Sequence, residues 1–312
     1  MSGRIVVLTG GVGGAKLALG LCHAVPAESV TAIVNTGDDF RHLGLWISPD
    51  LDTLLYTLSG KSDEERGWGR ASESWNFMAV LRTLGGEDWF QLGDGDLALH
   101  VERSRRLQAG RTLTDVMADY GRSWHVAAEI LPMSDQPVAT WLDTDEGPLP
   151  FQRYFVERRC APRATAVRFD GAEQALPGPD VIARLTSPDT KAILIAPSNP
   201  YLSIDPILAV PGIRAALASA VAPVVAVSPL VGGDAVKGPT RKLMDELGMP
   251  ATPRAIADHY AGIIDALLVD ERDRGAPLPE TAHDFCDTLM LTLDDRLRVA
   301  HAALDLAART TR

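Results

Sequence analysis

Four aspartates follow closely on a run of glycines near the start of the chain. Gly10, Gly11, Gly13 and Gly14 come first, and Asp38, Asp39, Asp50 and Asp52 come within the next forty positions. Glycines between a strand and a helix can present bare backbone N–H groups to a phosphate at the positive end of the helix dipole. Carboxylates beside such a phosphate need a cation between them, and Mg²⁺ is the common one. Displacement at phosphorus is the chemistry this set can do, since it asks for charge neutralisation and placement rather than covalent help. Further polar residues are His100, which follows an apolar trio and suits a packing role equally well, and, at turns or strand ends, Gly93-Asp94-Gly95-Asp96, Ser134-Asp135, the segment Pro197-Ser198-Asn199-Pro200 and the run from Ser228 to Gly233.

The elements that must position these residues read as alternating strands and helices. Ile5–Leu8 is a continuous apolar run, the pattern of a parallel strand buried on both faces, and Ala15–Val25 reads as the helix after the glycines. The spacing is not a dinucleotide fingerprint, because Lys16 stands where the third glycine would be, and it is not a P-loop, because Leu17 follows that lysine. Val30–Val34 is a second strand, so Asn35-Thr36-Gly37-Asp38-Asp39 falls in the crevice at the strand carboxyl ends. There it suits a metal or a substrate hydroxyl, or else a solvated turn. Ser48 reads as an N-cap and Pro49 as the first residue of a helix whose stripe is Leu51, Leu54, Leu55 and Leu58. Asp50 and Asp52 then lie in its first turn, where the helix dipole alone would favour them.

Residues 61–125 change character. Trp68, Trp75, Trp89 and Trp124 lie here among helical patterns near Trp75–Leu84, Asp96–Gln108 and Leu113–Tyr120, without a strand. This predicts a helical insert and a possible lid, between core segments 1–60 and 126–312. Ala128–Pro132 resumes strand character; Val138–Leu142 and Phe151–Glu157 read as a hairpin-like pair, and Arg158-Arg159 as a solvated pair. Strands at Ala192–Ala196, Val224–Val227 and Ala266–Val269 follow, with helices at Pro239–Leu247 and Asp294–Arg309. The expected fold class is α/β, a Rossmann-like doubly wound and mostly parallel sheet with a helical insert.

Composition excludes some function classes. The 312 residues carry a formal net charge of −11, which argues against a broad grip on nucleic acid. The three cysteines, Cys22, Cys160 and Cys286, lack paired spacing and read as reduced thiols of a cytoplasmic protein. No apolar run approaches the roughly 18 residues of a membrane span.

Taken together, GGVGGAKL (Gly10–Leu17), NTGDD (Asn35–Asp39), ISPDLDT (Ile47–Thr53), LGDGD (Leu92–Asp96), LPMSD (Leu131–Asp135), APSNP (Ala196–Pro200) and the SPLVGG run resemble the 2-phospho-L-lactate transferases of deazaflavin coenzyme F-420 biosynthesis. The matches run in order from near residue 5 to about residue 290. The resemblance implies an Mg²⁺-dependent enzyme, often a homodimer in the family, that joins the deazaflavin FO to a phospho-hydroxyacid. The terminal ribityl hydroxyl of FO attacks the acid-side phosphorus of a guanosine diphosphate-linked donor, and GMP leaves. It implies Asp38 and Asp50 as metal ligands and catalytic residues, with Asp50 also orienting or deprotonating the FO hydroxyl. Gln91, Asp94 and Asp135 are the further FO contacts. Gly10, Gly11, Gly13, Gly14 and Lys16 take the donor phosphates, and Ser198, Asn199, Ser228 and Gly232 the guanosine part. Many relatives carry a basic residue where this chain has Gly95. Two other readings are a non-catalytic nucleotide-sugar-binding regulator of the same fold and an NAD(P)-dependent oxidoreductase; the broken fingerprint at Lys16 weakens the second.

Overall fold

The computed structural model describes residues 3–236 and 238–311. Its centre is a seven-stranded sheet: β1 (Arg4–Thr9), β2 (Val30–Val34), β3 (Glu129–Pro132), β4 (Thr190–Ile195), β5 (Val224–Val227), β6 (Ala266–Asp270) and β7 (Ala282–Cys286). The spatial order is β3-β2-β1-β4-β5-β6-β7, and every neighbouring pair is parallel. The order reverses between β1 and β4, so the crevice outside their carboxyl ends is the expected ligand position of a Rossmann-like sheet.

The apolar runs explain why these strands are central. Along β1, Val6 and Leu8 belong to one buried cluster while Ile5 and Val7 belong to another on the opposite face. A strand covered on both sides needs no polar alternation. On the second face lie α1 (Gly11–Ala24) and α2 (Pro49–Leu58), with α1 also packed against the last helix, Leu293–Arg309. That last contact is close: a Cβ on Gly20 would come within 2.3 Å of the Arg296 carbonyl oxygen.

Three helices follow residue 61: α3 (Asn76–Thr83), α4 (Asp94–Gln108) and α5 (Leu113–Ser123). Among the described residues of 61–125 there is no strand, only an isolated bridge between Ser62 and Arg70. Met78 and Leu92 close a small cluster with Ile47, while α5 lays Leu113, Val116, Met117 and Tyr120 into the main core. Those four fall at i, i+3, i+4 and i+7, one helical stripe.

Two local expectations are corrected. The first helix begins at Gly11 rather than Ala15, so the glycines form its first turn instead of a preceding loop. Gly10 is extended, and Gly11 takes φ +64°, which glycine adopts without a Cβ penalty. The second concerns Phe151–Glu157, which does not form a hairpin strand. Ala139–Thr144 pairs with Gly147–Pro150 through a tight turn, Gly147 taking φ +102°, and with Ala164–Asp170 on its other edge. Phe151 and Gln152 are helical and Arg153–Glu157 is a π turn, which buries Phe151 and Tyr154 on one side.

Candidate active site

The carboxyl ends of β1 and β4 open into a cavity of about 800 Å³. Its floor is the first turn of α1, with Gly11, Val12 and Gly13, flanked by Asp38, Asp50, Asn199, Leu202 and Ser203. α2 and α4 supply Asp52, Tyr56, Asp96 and His100, and a loop supplies Gly67, Trp68 and Gly69. A smaller cavity of about 90 Å³ lies beside it and shares Val12, Gly13 and Thr240; Lys16, Ser228 and Met290 also line it. The start of α1 therefore stands where two spaces meet.

Asp50 is held at two points. Its Oδ1 accepts the Gly11 N–H at 2.7 Å, and its Oδ2 accepts from Asn35 Nδ2 at 2.9 Å. Asn35 is itself oriented, because its Oδ1 accepts the Gly37 N–H at 2.7 Å and its Nδ2 also donates to the Leu202 carbonyl at 3.2 Å. The glycine at position 10 is required by this approach: a Cβ there would lie 2.5 Å from Asp50 Oδ2. Two orphan N–H groups of the α1 terminus are thus used by protein, Gly11 donating to Asp50 and Gly10 to Ser198 Oγ at 3.3 Å, while Val12 and Gly13 line both cavities.

Asp38 is treated differently. Its Oδ1 is buried without a hydrogen-bond partner among the described residues. Burial first, and then the charge of Asp50, push its carboxyl well above the usual range. Asp50 is pushed up to about 6, mainly by burial, with the bonds from Asn35 and Gly11 pulling the other way. Asp39 is pushed up to about 8 by burial. It lies off the cavity, accepting from Ser48 Oγ at 2.7 Å and Trp46 Nε1 at 3.1 Å. Ser48 thus stands at the N-cap position, but its hydroxyl makes no cap and tethers Asp39 instead.

Asp52 carries its own cation. Arg103, fully buried on α4, meets it with both terminal nitrogens, Nη1 at 3.1 Å and Nη2 closer still. His100 Nδ1 stands 3.7 Å from Asp52, and its Nε2 3.2 Å from Asp96 Oδ2; the Tyr56 hydroxyl donates to Asp96. Sequence reasoning missed Arg103 and Tyr56, and singled out Asp96 without giving it a role. The signal was there: Asp96, His100 and Arg103 recur at i, i+4 and i+7, a polar stripe on one helix face, matched by Asp52 and Tyr56 at i and i+4 on α2.

The other expected residues divide. Asn199 lines the large cavity, its Oδ1 capping the turn at Tyr201 and Leu202 while its Nδ2 is buried and unpartnered among the described residues. Gln91 reaches the rim, bonded to Arg82 and to the Asp88 carbonyl. Lys16 lines the small cavity and donates to the Met290 carbonyl at 2.6 Å. Ser228 lines it too and accepts the Leu230 N–H. Gly14 is a packing position, since a Cβ would meet Thr9 Oγ1 at 2.0 Å. Ser198 is buried, latching Gly10 by donating to its carbonyl at 2.7 Å. Gly232 donates its N–H to Asp273. Asp94 and Asp135 stand off both cavities: Asp94 accepts from Ser74 and from the N–H groups of Asn76 and Phe77, and Asp135 from Thr114 at the start of α5.

Sequence comparison decides the family. Residues 5–293 match the family model described as 2-phospho-L-lactate transferase CofD. The chain belongs to this family. It is 43% identical over 314 residues to a phosphoenolpyruvate transferase of Streptomyces griseus, covering 97% of this chain and 98% of that one. It is 44% identical over 315 residues to the phosphoenolpyruvate transferase of Kitasatospora aureofaciens, with the same coverage. The 2-phospho-L-lactate transferase of Methanosarcina mazei is 38% identical over 270 residues, 86% of this chain and 88% of that one. Among solved structures, a UPF0052 family member from Bacillus halodurans superposes with a TM-score of 0.63 at 19% identity, covering 97% of this chain and 99% of that one, a likeness of fold. The protein is thus a transferase of the CofD family on a Rossmann-like scaffold. No helix among the described residues is long and apolar enough to cross a membrane.

Proposed function

We propose that the protein transfers a phospho-acid from a guanosine diphosphate-linked donor to the terminal ribityl hydroxyl of the deazaflavin FO, releasing GMP, in coenzyme F-420 biosynthesis. The observation that carries this is the meeting of two cavities at the first turn of α1, beside Asp38 and Asp50. A diphosphate straddling that turn would leave its nucleoside on the side of Lys16 and Ser228 and its acid in the larger space with FO. The donor acid is of the enolpyruvate type, as the names of the Streptomyces and Kitasatospora relatives suggest.

Mg²⁺ suits the residues present. Among the described residues no three His, Cys, Asp or Glu groups gather as a metal cage, but Mg²⁺ usually takes one or two carboxylates, waters and substrate phosphates. Asp38 and Asp50 would hold it, and the unpartnered Asp38 oxygen is the group that lacks a counter-charge. When bound, the ion would neutralise charge on the diphosphate. Asp50 would take the proton of the attacking hydroxyl, its carboxyl being ionised above about pH 6. Asn35 and Gly11 fix that carboxylate so that it need not reorient. Val12 and Gly13 offer N–H groups to the phosphate oxygens. The oxygen of FO becomes bonded to the acid-side phosphorus, and the bond from that phosphorus to the GMP oxygen breaks.

Incubation with FO, Mg²⁺ and guanosine diphosphate-linked enolpyruvate, phospholactate or phosphoglycerate donors tests the reading. Mass spectrometry should show FO gaining the phospho-acid with equal GMP release. FO left unmodified with all three, while guanine nucleotide still binds, would sink it in favour of a nucleotide-binding regulator.

A further inference from the structure

Arg159 differs from its neighbour. Arg158 is half-buried and pairs with Glu146, whereas Arg159 is exposed and lines the large cavity. No hydrogen bond or ion pair joins Arg159 to another described residue. The other charged side chains on that lining are Asp38, Asp50, Asp52 and Asp96. Arg103 already serves Asp52, so Arg159 is the uncommitted guanidinium of an acidic cavity.

Its placement is built into the backbone. After the π turn Arg153–Glu157, Arg159 takes φ +50° and Cys160 φ +55°. Two consecutive non-glycine residues in the left-handed region are unfavourable and persist only where surrounding contacts impose them. Here the N–H of Cys160 donates to the Tyr154 carbonyl at 2.9 Å, that of Ala161 to the Arg158 carbonyl at 2.9 Å, and Tyr154 is fully buried. The reversal separates the two arginines, leaving Arg158 with Glu146 and Arg159 on the cavity.

We propose that Arg159 binds the carboxylate of the transferred acid and so selects carboxylate-bearing donors. This rests on the transferase reading above. A 2-phospho acid brings a carboxylate into a cavity lined by four aspartates, where it would be repelled unless a cation met it. A guanidinium offers a planar fork that matches a carboxylate bidentately.

The test compares a non-transferable donor, with a methylene group bridging its two phosphorus atoms, to its carboxamide counterpart by calorimetry. The wild type should bind the carboxylate about 10- to 100-fold more tightly. Arg159→Gln should bring that ratio near one, Arg159→Lys should keep part of it, and Arg158→Gln should keep all of it. A wild-type ratio near one, or a ratio that survives Arg159→Gln, overturns the inference. Transfer to FO is read separately with the cleavable donor. Loss of the ratio in Arg159→Gln with no transfer by the wild type would support the Arg159 site and reject the transferase reading.

Discussion

Three buried acids line one cavity, and the fold treats them in opposite ways. Asp52 meets Arg103 on α4, so its charge is matched inside the protein. Asp38 and Asp50 meet no arginine or lysine side chain among the described residues; Asp50 is held by an amide and an N–H, and Asp38 keeps an oxygen without a partner. Matched charge is structure, because removing one partner strands the other in a poorly solvating interior. Unmatched charge is an opening for an external cation or a proton, and the raised carboxyls of Asp38 and Asp50 register that. α4, which lies within the predicted insert, is thereby fastened to the core helix α2 through Arg103 and Asp52.

The comparison can be broken from either side. The largest effect is expected from Asp50→Asn, which removes the proposed base and a metal ligand together. Transfer should fall by about 10²–10⁴-fold or more in kcat, in a variant that still unfolds cooperatively on heating. Steady-state kinetics with a melting curve checks both, and retained turnover would contradict the assignment.

Arg103→Met should do the reverse. Leaving Asp52 buried and unpaired should cost about 3–5 kcal/mol of stability, read by urea denaturation. Adding Asp52→Asn should recover part of that loss, because the stranded charge goes too. If the single variant unfolds at the wild-type midpoint, the pair is not structural.

Metal binding sharpens the contrast. Saturating Mg²⁺ at about 100 times its dissociation constant should stabilise the wild type by about 2.7 kcal/mol, and the shift should be lost in Asp38→Asn. The pH dependence follows from the raised Asp50 value. A proton and the cation compete for the same carboxylate, so Mg²⁺ affinity should fall up to about tenfold per unit below about pH 6. For the metal-free protein the sign is set by burial. The folded state keeps a proton that the unfolded chain loses near its ordinary value of 3.8, so Asp50's contribution to stability declines as pH rises from there through about 6. Titrations at pH 5 and pH 8 would show whether affinity moves in that direction.

The smallest effect belongs to an acid outside both cavities. Asp135→Ala removes the carboxylate that accepts from Thr114 at the start of α5 and should cost about 1 kcal/mol. Its kcat/KM for FO should stay near the wild-type value if its role is only to hold that helix, and a large rise in KM for FO would restore it to the substrate site.

Much of the scaffold was legible because burial on both faces writes itself as apolar runs: Ile5–Leu8, Val30–Val34 and Val224–Val227 are all strands of the sheet. The glycine-to-helix junction and the acids after β2 and in α2 were legible from the order of elements, since crossover topology places strand carboxyl ends on one rim. Phe151–Glu157 was misread because a short apolar segment has no period long enough to separate strand from helix. What only the tertiary structure decided was the fate of each polar group. Whether an aspartate meets an arginine 51 positions away, as Asp52 does, or meets none, as Asp38 does, depends on how separate helices pack. The same holds for Arg158 and Arg159, adjacent in sequence and turned to different surroundings by two left-handed residues. Local sequence fixes periodicity and caps, but a charge acquires its role from the partner and solvent that the assembled fold leaves it.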